Sequence, residues 1–132
     1  MFGQKAKNTI DSLIGTSTTI EGNLRFKGGL RVDGHVKGNL IAEPMENSML
    51  VISEQATVEG EVRAEHVVVD GAITGPVYCS ELLELQPKAR ITGDVHYKAL
   101  EMHGGALVSG KLTHQDAEQV LKLASPKLAS NV

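Results

Sequence analysis

A chain of 132 residues is enough for one small domain with tails. Hydrophobic residues make up 41% of it, yet there are two Phe, two Tyr and no Trp, so the core must be built from Val, Ile, Leu and Ala, a composition that favours strands. A net charge of −3 without a long basic run argues against nucleic acid as a partner, and a single cysteine excludes an intrachain disulfide and suits a reducing compartment.

In chain order, residues 1–17 read as a flexible N-terminal arm. Ile10, Leu13 and Ile14 have the i, i+3, i+4 spacing of a short helix, but one too short to be stable alone. Phe2 with Lys5 and Lys7 gives the arm an apolar start and two cations. Residues 1–16 lack the continuous apolar segment of a signal peptide, and no stretch approaches the ~18 apolar residues of a membrane span. The expected location is therefore the cytoplasm.

From Thr18 the pattern changes. Apolar or small residues recur with gaps of two and four, most plainly at Ile73, Val77, Cys79, Leu83, Leu85, Ala89, Ile91, Val95 and Tyr97. Neither a 3.6-residue helix nor a long alternating strand gives that spacing. It fits short strands with two inward residues, separated by three-residue corners, with three strands making one turn of about 18 residues. The expected fold is all-β: a single-domain parallel β-helix over residues 18–114, of about six three-strand turns.

The strands sort into three columns. The first is Thr18/Ile20, Gly34/Val36, Ala56/Val58, Gly71/Ile73, Ala89/Ile91 and Ala106/Val108, always a small residue or Thr followed by Ile or Val. The second is Leu24/Phe26, Leu40/Ala42, Val62/Ala64, Val77/Cys79, Val95/Tyr97 and Leu112/His114, always opening with Leu or Val. The third is Leu30/Val32, Leu50/Ile52, Val67/Val69, Leu83/Leu85 and Leu100/Met102. Like residues stacked above like are what a solenoid core requires. Between first and second columns each corner has three residues with Gly in the middle (Gly22, Gly38, Gly60, Gly75, Gly93, Gly110), where a sharp bend needs positive φ. From third back to first the corner is a lone Asp (Asp33, Asp70) or three residues. Between second and third, Glu43–Met49 is a seven-residue insertion. Residues 115–132 read as a C-terminal tail, with one short amphipathic helix over Gln115–Ala124.

A parallel β-helix satisfies its own backbone along the walls but not at its ends, which keep unpaired strand edges and an apolar cross-section. Either caps cover them or the ends stack on other molecules, which makes a filament. The residues that would meet there are Ile20, Leu24 and Phe26 at one end, and Leu100, Met102, Val108 and Leu112 at the other.

Leu13-Ile14-Gly15, Ile20-Glu21-Gly22-Asn23-Leu24, Leu30-Arg31-Val32-Asp33-Gly34, Val36-Lys37-Gly38-Asn39-Leu40 and Val67-Val68-Val69-Asp70-Gly71 together resemble the bactofilins, over roughly Leu13 to Leu112. The resemblance implies a right-handed coil, the hand that crossover statistics also favour. It further implies end-to-end polymerisation without nucleotide, as a bacterial cytoskeletal scaffold. By the same resemblance, the arm with Phe2, Lys5 and Lys7 would attach the polymer to the cytoplasmic face of the inner membrane. The partners expected are the chain itself, that membrane surface and peptidoglycan-remodelling or other envelope proteins, with no nucleic acid and no cofactor.

Chemistry is sparse. His35 and His96 point outward on different faces, while His66 and His103 fall in different corners, so surface imidazoles are expected rather than a metal triad. Cys79 faces inward between Ala64 and Tyr97, and Glu84 and Glu101 stack on a solvated third face. No Gly-rich loop opens a helix to cradle a phosphate. Ile41 and Tyr78 on the second face, and Val51 and Val68 on the third, are outward apolar residues that either scatter as ordinary surface or form a lateral or partner contact. Two alternatives to a structural polymer remain. One is a hexapeptide-type β-helix enzyme (an acyltransferase or γ-carbonic-anhydrase-like protein), against which stand the bulky Leu24, Leu30, Leu83 and Val95 at places that repeat keeps small. The other is a monomeric binding module capped by its tails.

Overall fold

The computed structural model describes residues 10–44 and 47–116. Its strands are β1 (Ile10–Ile14), β2 (Thr19–Glu21), β3 (Leu24–Phe26), β4 (Gly29–Val32) and β5 (His35–Lys37). There follow β6 (Leu40–Ala42), β7 (Met49–Ile52), β8 (Thr57–Glu59), β9 (Val62–Val69) and β10 (Ala72–Thr74). The last are β11 (Val77–Leu85), β12 (Arg90–Thr92), β13 (Val95–Met102), β14 (Leu107–Ser109) and β15 (Leu112–His114). Every pairing is parallel and joins one turn to the next. The result is a parallel β-solenoid. At the ~4.8 Å spacing of neighbouring strands, six turns rise about 29 Å.

The first column forms its own sheet, in the order β14-β12-β10-β8-β5-β2. The second and third columns share the other sheet, because β9, β11 and β13 run through the corner between them. Separate strands were expected there. The chain instead stays extended across Glu65-His66, Ser80-Glu81-Leu82 and Lys98-Ala99, and absorbs the bend as a register irregularity between Cys79 and Leu82. The predicted column partners are otherwise observed residue for residue: Val36 on Val58, Val58 on Ile73, Ile73 on Ile91. These inward side chains are almost wholly buried, as are Leu30, Leu40, Leu50, Leu83 and Leu85. Each contributes about 1.5–3 kcal/mol on leaving water.

The solenoid begins earlier than Thr18. Ile10–Ile14, expected as part of a loose arm with helical spacing, is strand β1, paired with β4 so that Ser12 lies on Leu30 and Ile14 on Val32. Five residues cannot hold a helix alone, whereas the edge of β4 offers ready backbone partners. Ile14 is buried as a result, and the Thr18 amide closes the following corner on the Gly15 carbonyl at 3.0 Å. The segment with Phe2, Lys5 and Lys7, and the expected C-terminal helix beyond Asp116, lie outside the described residues.

The corners carry the geometry. The six corner glycines between first and second columns have φ from +131° to +158°. A second constraint was not legible in the sequence. A Cβ on Gly60 would lie 2.1 Å from the carbonyl oxygen of Gly38, the corner glycine of the turn before, and the same contact recurs at Gly75 against Gly60. Each corner thus rests on the bare backbone of its neighbour. Beside it runs a side-chain ladder: the Asn39 amide donates to Asn23 Oδ1 at 3.0 Å, and the Glu61 amide to Asn39 Oδ1 at 2.8 Å. At the short corner Asp33, the Ser53 hydroxyl and then the Arg31 guanidinium bind the carboxylate and hold its pKa below the usual range. The insertion re-enters through Ser48, which is buried and accepts the Glu65 amide on Oγ at 2.9 Å.

Gly60→Ala should therefore destabilise the fold by about 3 kcal/mol or more, through strain and a backbone clash together. Gly104→Ala, at a position with open space, should stay within roughly 0.5 kcal/mol of the parent. Thermal or urea unfolding of the two variants measures the difference.

Candidate functional site

The two ends of the solenoid differ from its walls. Among the described residues, β1, β2 and β3 at the N-terminal end each have a neighbour on one side only. At the C-terminal end the same holds for β14, β15 and the Ala99–Met102 half of β13, since β15 covers only Val95–Tyr97. A strand edge of this kind offers a row of N–H and C=O groups to another chain. Gly22 shows the end directly, because a Cβ there would meet nothing within 4 Å where later corner glycines meet a carbonyl.

Side chains at these edges match the sequence expectation in part. Met102 is 45% exposed and Leu112 41%, while Leu100 and Val108 are half-buried against the core. At the other end Ile20 and Leu24 are half-buried, but Phe26 is only 8% exposed and belongs to the chain's own core. Three apolar side chains join the ends without having been named there: Leu107, Leu13 and, 39% exposed on β1, Ile10. Leu107 (57% exposed) is the outward residue of β14, and Leu13 (61%) that of β1. The signal in the sequence for Leu13 and Leu107 is a large aliphatic residue at the middle position of a φ-x-φ strand of a terminal turn, where the adjoining rung carries Arg31 or Arg90.

On the second face the outward row is Arg25, Ile41, Arg63, Tyr78, His96 and Thr113. Tyr78 and His96 stack with ring centroids 5.0 Å apart and planes 3° from parallel. Burial, then the negative charges of Glu61 and Asp94, push the Tyr78 hydroxyl pKa up. On the third face Val51 and Val68 are direct strand neighbours and half-buried. Ile41 and Tyr78 are not adjacent to that pair, so the four outward apolar residues divide between two faces.

Glu84, Glu101 and His103 form the one group, among the described residues, whose possible ligand atoms lie within 4.8 Å of one another. His103 Nε2 is 3.8 Å from Glu84 Oε2 and 4.0 Å from Glu101 Oε2. Searching by pairs of histidines passes over it, because two of the three donors are carboxylates on neighbouring strands. All three side chains are open to water, and Gln86 Nε2 already donates to Glu84. Cys79 faces inward between Ala64 and Tyr97 as expected, and its thiol donates to the Glu65 carbonyl at 3.1 Å.

Comparison with known proteins agrees with this architecture. A family model described as Bactofilin, polymer-forming cytoskeletal, matches residues 12–113. The chain is 24% identical to bactofilin BacO of Myxococcus xanthus (strain DK1622) over 84% of its own length and 85% of BacO. To BacP of the same organism it is 26% identical over 86% of its length, and spans 45% of that longer relative. Among solved structures, the cytoskeletal bactofilin BacA determined by solid-state NMR superposes with a TM-score of 0.67, at 33% identity, covering 78% of this chain and 95% of BacA.

The Cys79 thiol is pushed up to about 12, chiefly by burial. It should stay neutral and unreactive toward thiol reagents at pH 8 in the folded protein and react on unfolding. A raised folded-state pKa also means that ionisation favours the unfolded chain as pH climbs above its ordinary value near 9, so this contribution to stability falls between about pH 9 and 12. Cys79→Ala should lessen that alkaline loss. Thiol titration and unfolding as a function of pH test the two statements.

Proposed function

Because the chain belongs to the bactofilins, a polymer-forming cytoskeletal family, we propose that it self-assembles end to end through its terminal turns into nucleotide-independent filaments. Its role is cytoskeletal and structural. The observation that supports the mode of assembly is the pair of ends whose parallel edges have no partner among the described residues, with Met102, Leu107 and Leu112 exposed at one of them. Stacking a second molecule there would add backbone hydrogen bonds and remove apolar side chains from water, each large side chain contributing about 1.5–3 kcal/mol. Ile20, Leu24, Leu100 and Val108 are the core residues at the seam, with Phe26 beneath it.

The filament serves as a scaffold at the cytoplasmic face of the inner membrane, recruiting peptidoglycan-remodelling or other envelope proteins and so acting on cell shape. The support for the membrane contact is sequence alone: Phe2, Lys5 and Lys7. No helix among the described residues is long and apolar enough to cross a membrane. Burying Phe2 gives ~2–3 kcal/mol and each lysine on the order of 1 kcal/mol near anionic lipid. One arm binds weakly, and many arms on one filament bind firmly.

Val108→Arg places an uncompensated charge against the C-terminal seam, at a desolvation cost of several kcal/mol. It should abolish pelleting and filaments in electron micrographs while the fold, read by circular dichroism, stays intact. Filaments as abundant as the parent's would remove the C-terminal turn from the contact. The parent should polymerise equally with a chelator or with ATP present. In flotation with anionic liposomes, both deletion of Met1–Lys7 and Val108→Arg should lose the membrane, and a deletion that floats like the parent would leave the arm without that role.

A further inference from the structure

The third column of the solenoid is one rung short at its C-terminal end. Val95–Tyr97 of β13 carries β15, whereas Ala99–Met102 of the same strand has no strand on its far side among the described residues. Leu100 is half-buried there and Met102 is 45% exposed, although their counterparts one rung earlier, Leu83 and Leu85, are fully buried. The chain leaves the solenoid beside this gap. The Gln115 amide still donates to the Tyr97 carbonyl at 2.8 Å, as the Glu43 amide does to Phe26 where the long connection between second and third columns begins. The Gln115 side-chain oxygen is buried and meets no donor among the described residues, where buried polar atoms ordinarily have one.

Residues 117–132 contain one pair of large aliphatic side chains two positions apart, Leu121 and Leu123. That is the inward signature of the third column, as in Leu50/Ile52, Leu83/Leu85 and Leu100/Met102. Six residues, 115–120, separate the pair from His114. The same junction holds seven residues at Glu43–Met49 and two at Glu65-His66, so the reach is one this fold already spans. We propose that Leu121-Lys122-Leu123 docks as a parallel strand on Ala99–Met102, with Leu121 on Leu100 and Leu123 on Met102, as a removable cap on the C-terminal end. Lys122 then falls outward beside Glu101, which is 58% exposed and is the strand neighbour of Glu84. A cation there offsets two like charges on adjacent strands. The His103 imidazole is already 4.0 Å from Glu101, so charge agrees with the register and the aliphatic pair selects it.

Ala117, Val120, Leu121 and Ala124 have helical spacing, but so do Ile10, Leu13 and Ile14, and those residues form β1 on the edge of β4. A short helix is marginal alone, whereas a strand edge offers backbone partners at once. Both ends of the third column are then closed alike, each by a segment flanking the regular repeat. The edge so covered is the one on which a second copy would stack. Cap and copy exclude each other, and growth at that end waits on release of the cap. This capping role rests on the polymer reading; the docking of the strand does not.

Glu101→Cys combined with Lys122→Cys in the full chain tests both. Adjacent strands stand about 4.8 Å apart, inside the Cα separation that a disulfide accepts, and Cys79 is buried out of reach. Mild oxidation should link the two positions within one molecule, giving a monomer on a non-reducing gel and the joined peptide in mass spectra. Glu101→Cys combined with Gln119→Cys, off register, should link roughly fivefold less. The linked protein should pellet roughly fivefold less than the same protein after reduction, and Leu123→Asp should polymerise at a concentration roughly threefold below the parent's. Linkage as frequent at position 119, or only between molecules, overturns the strand and the cap together. Linkage without loss of pelleting, or Leu123→Asp no readier than the parent, overturns the cap. If neither the parent nor Leu123→Asp forms filaments, the polymer reading falls and the cap with it, while the linkage still decides the strand.

Discussion

Everything in this molecule depends on one repeated contact, the parallel backbone ladder that each turn makes with the turn before it. Turns of three short strands cannot close a core alone, because a three-residue arm buries two side chains and spends the conformational entropy of its corners. Stacked, they bury Val, Ile and Leu in continuous columns and satisfy nearly every backbone group along the walls. The ladder also sets how closely corners can approach. With the Gly38 carbonyl 2.1 Å from where a Gly60 Cβ would be, the corner glycine answers to its neighbour as much as to its own φ.

That dependence made much of the fold legible in advance. A column such as Val58, Ile73, Ile91 is visible because the ladder demands like above like, and the pairing followed that register. What escaped was whatever the ladder does not dictate by residue type. β1 sets Ser12, which is exposed, on Leu30 and Ile14 on Val32, a pair that resembles no other member of its column, and its strand conformation comes from the β4 edge above it. The continuity of β9, β11 and β13 through a corner depends on backbone bending at positions such as Glu65 and Leu82, to which side-chain pattern is blind.

The candidate site shows the same division. Met102 and Leu112 could be found by asking which column members lack a turn above them, and they are exposed as that question predicts. Phe26 failed the same question, being covered within its own chain. Leu13 and Leu107 needed a different one, namely which outward positions of the terminal strands carry an aliphatic residue where the next rung carries an arginine. The grouping of Glu84, Glu101 and His103 needed three dimensions, since it joins two rungs and a corner.

The unequal tolerance of the joints has a consequence for how such a chain can change length. The corners with glycine sit directly on one another, and the short Asp33 and Asp70 corners place Gly34 and Gly71 against the backbone of the preceding turn. Extra residues at the glycine corners would lift one turn off the next. The insertion at Glu43–Met49 lies instead at the junction of second and third columns, and rejoins the ladder through Ser48 on Glu65. Growth by single residues is therefore confined to that seam and to the third-to-first corner, which is one residue long at Asp33 and Asp70 and three at 86–88. Neither changes the number of rungs, so the molecule's height changes only by duplicating or deleting a whole coil, in steps of about 4.8 Å, and lineages of such proteins should differ by integral numbers of rungs.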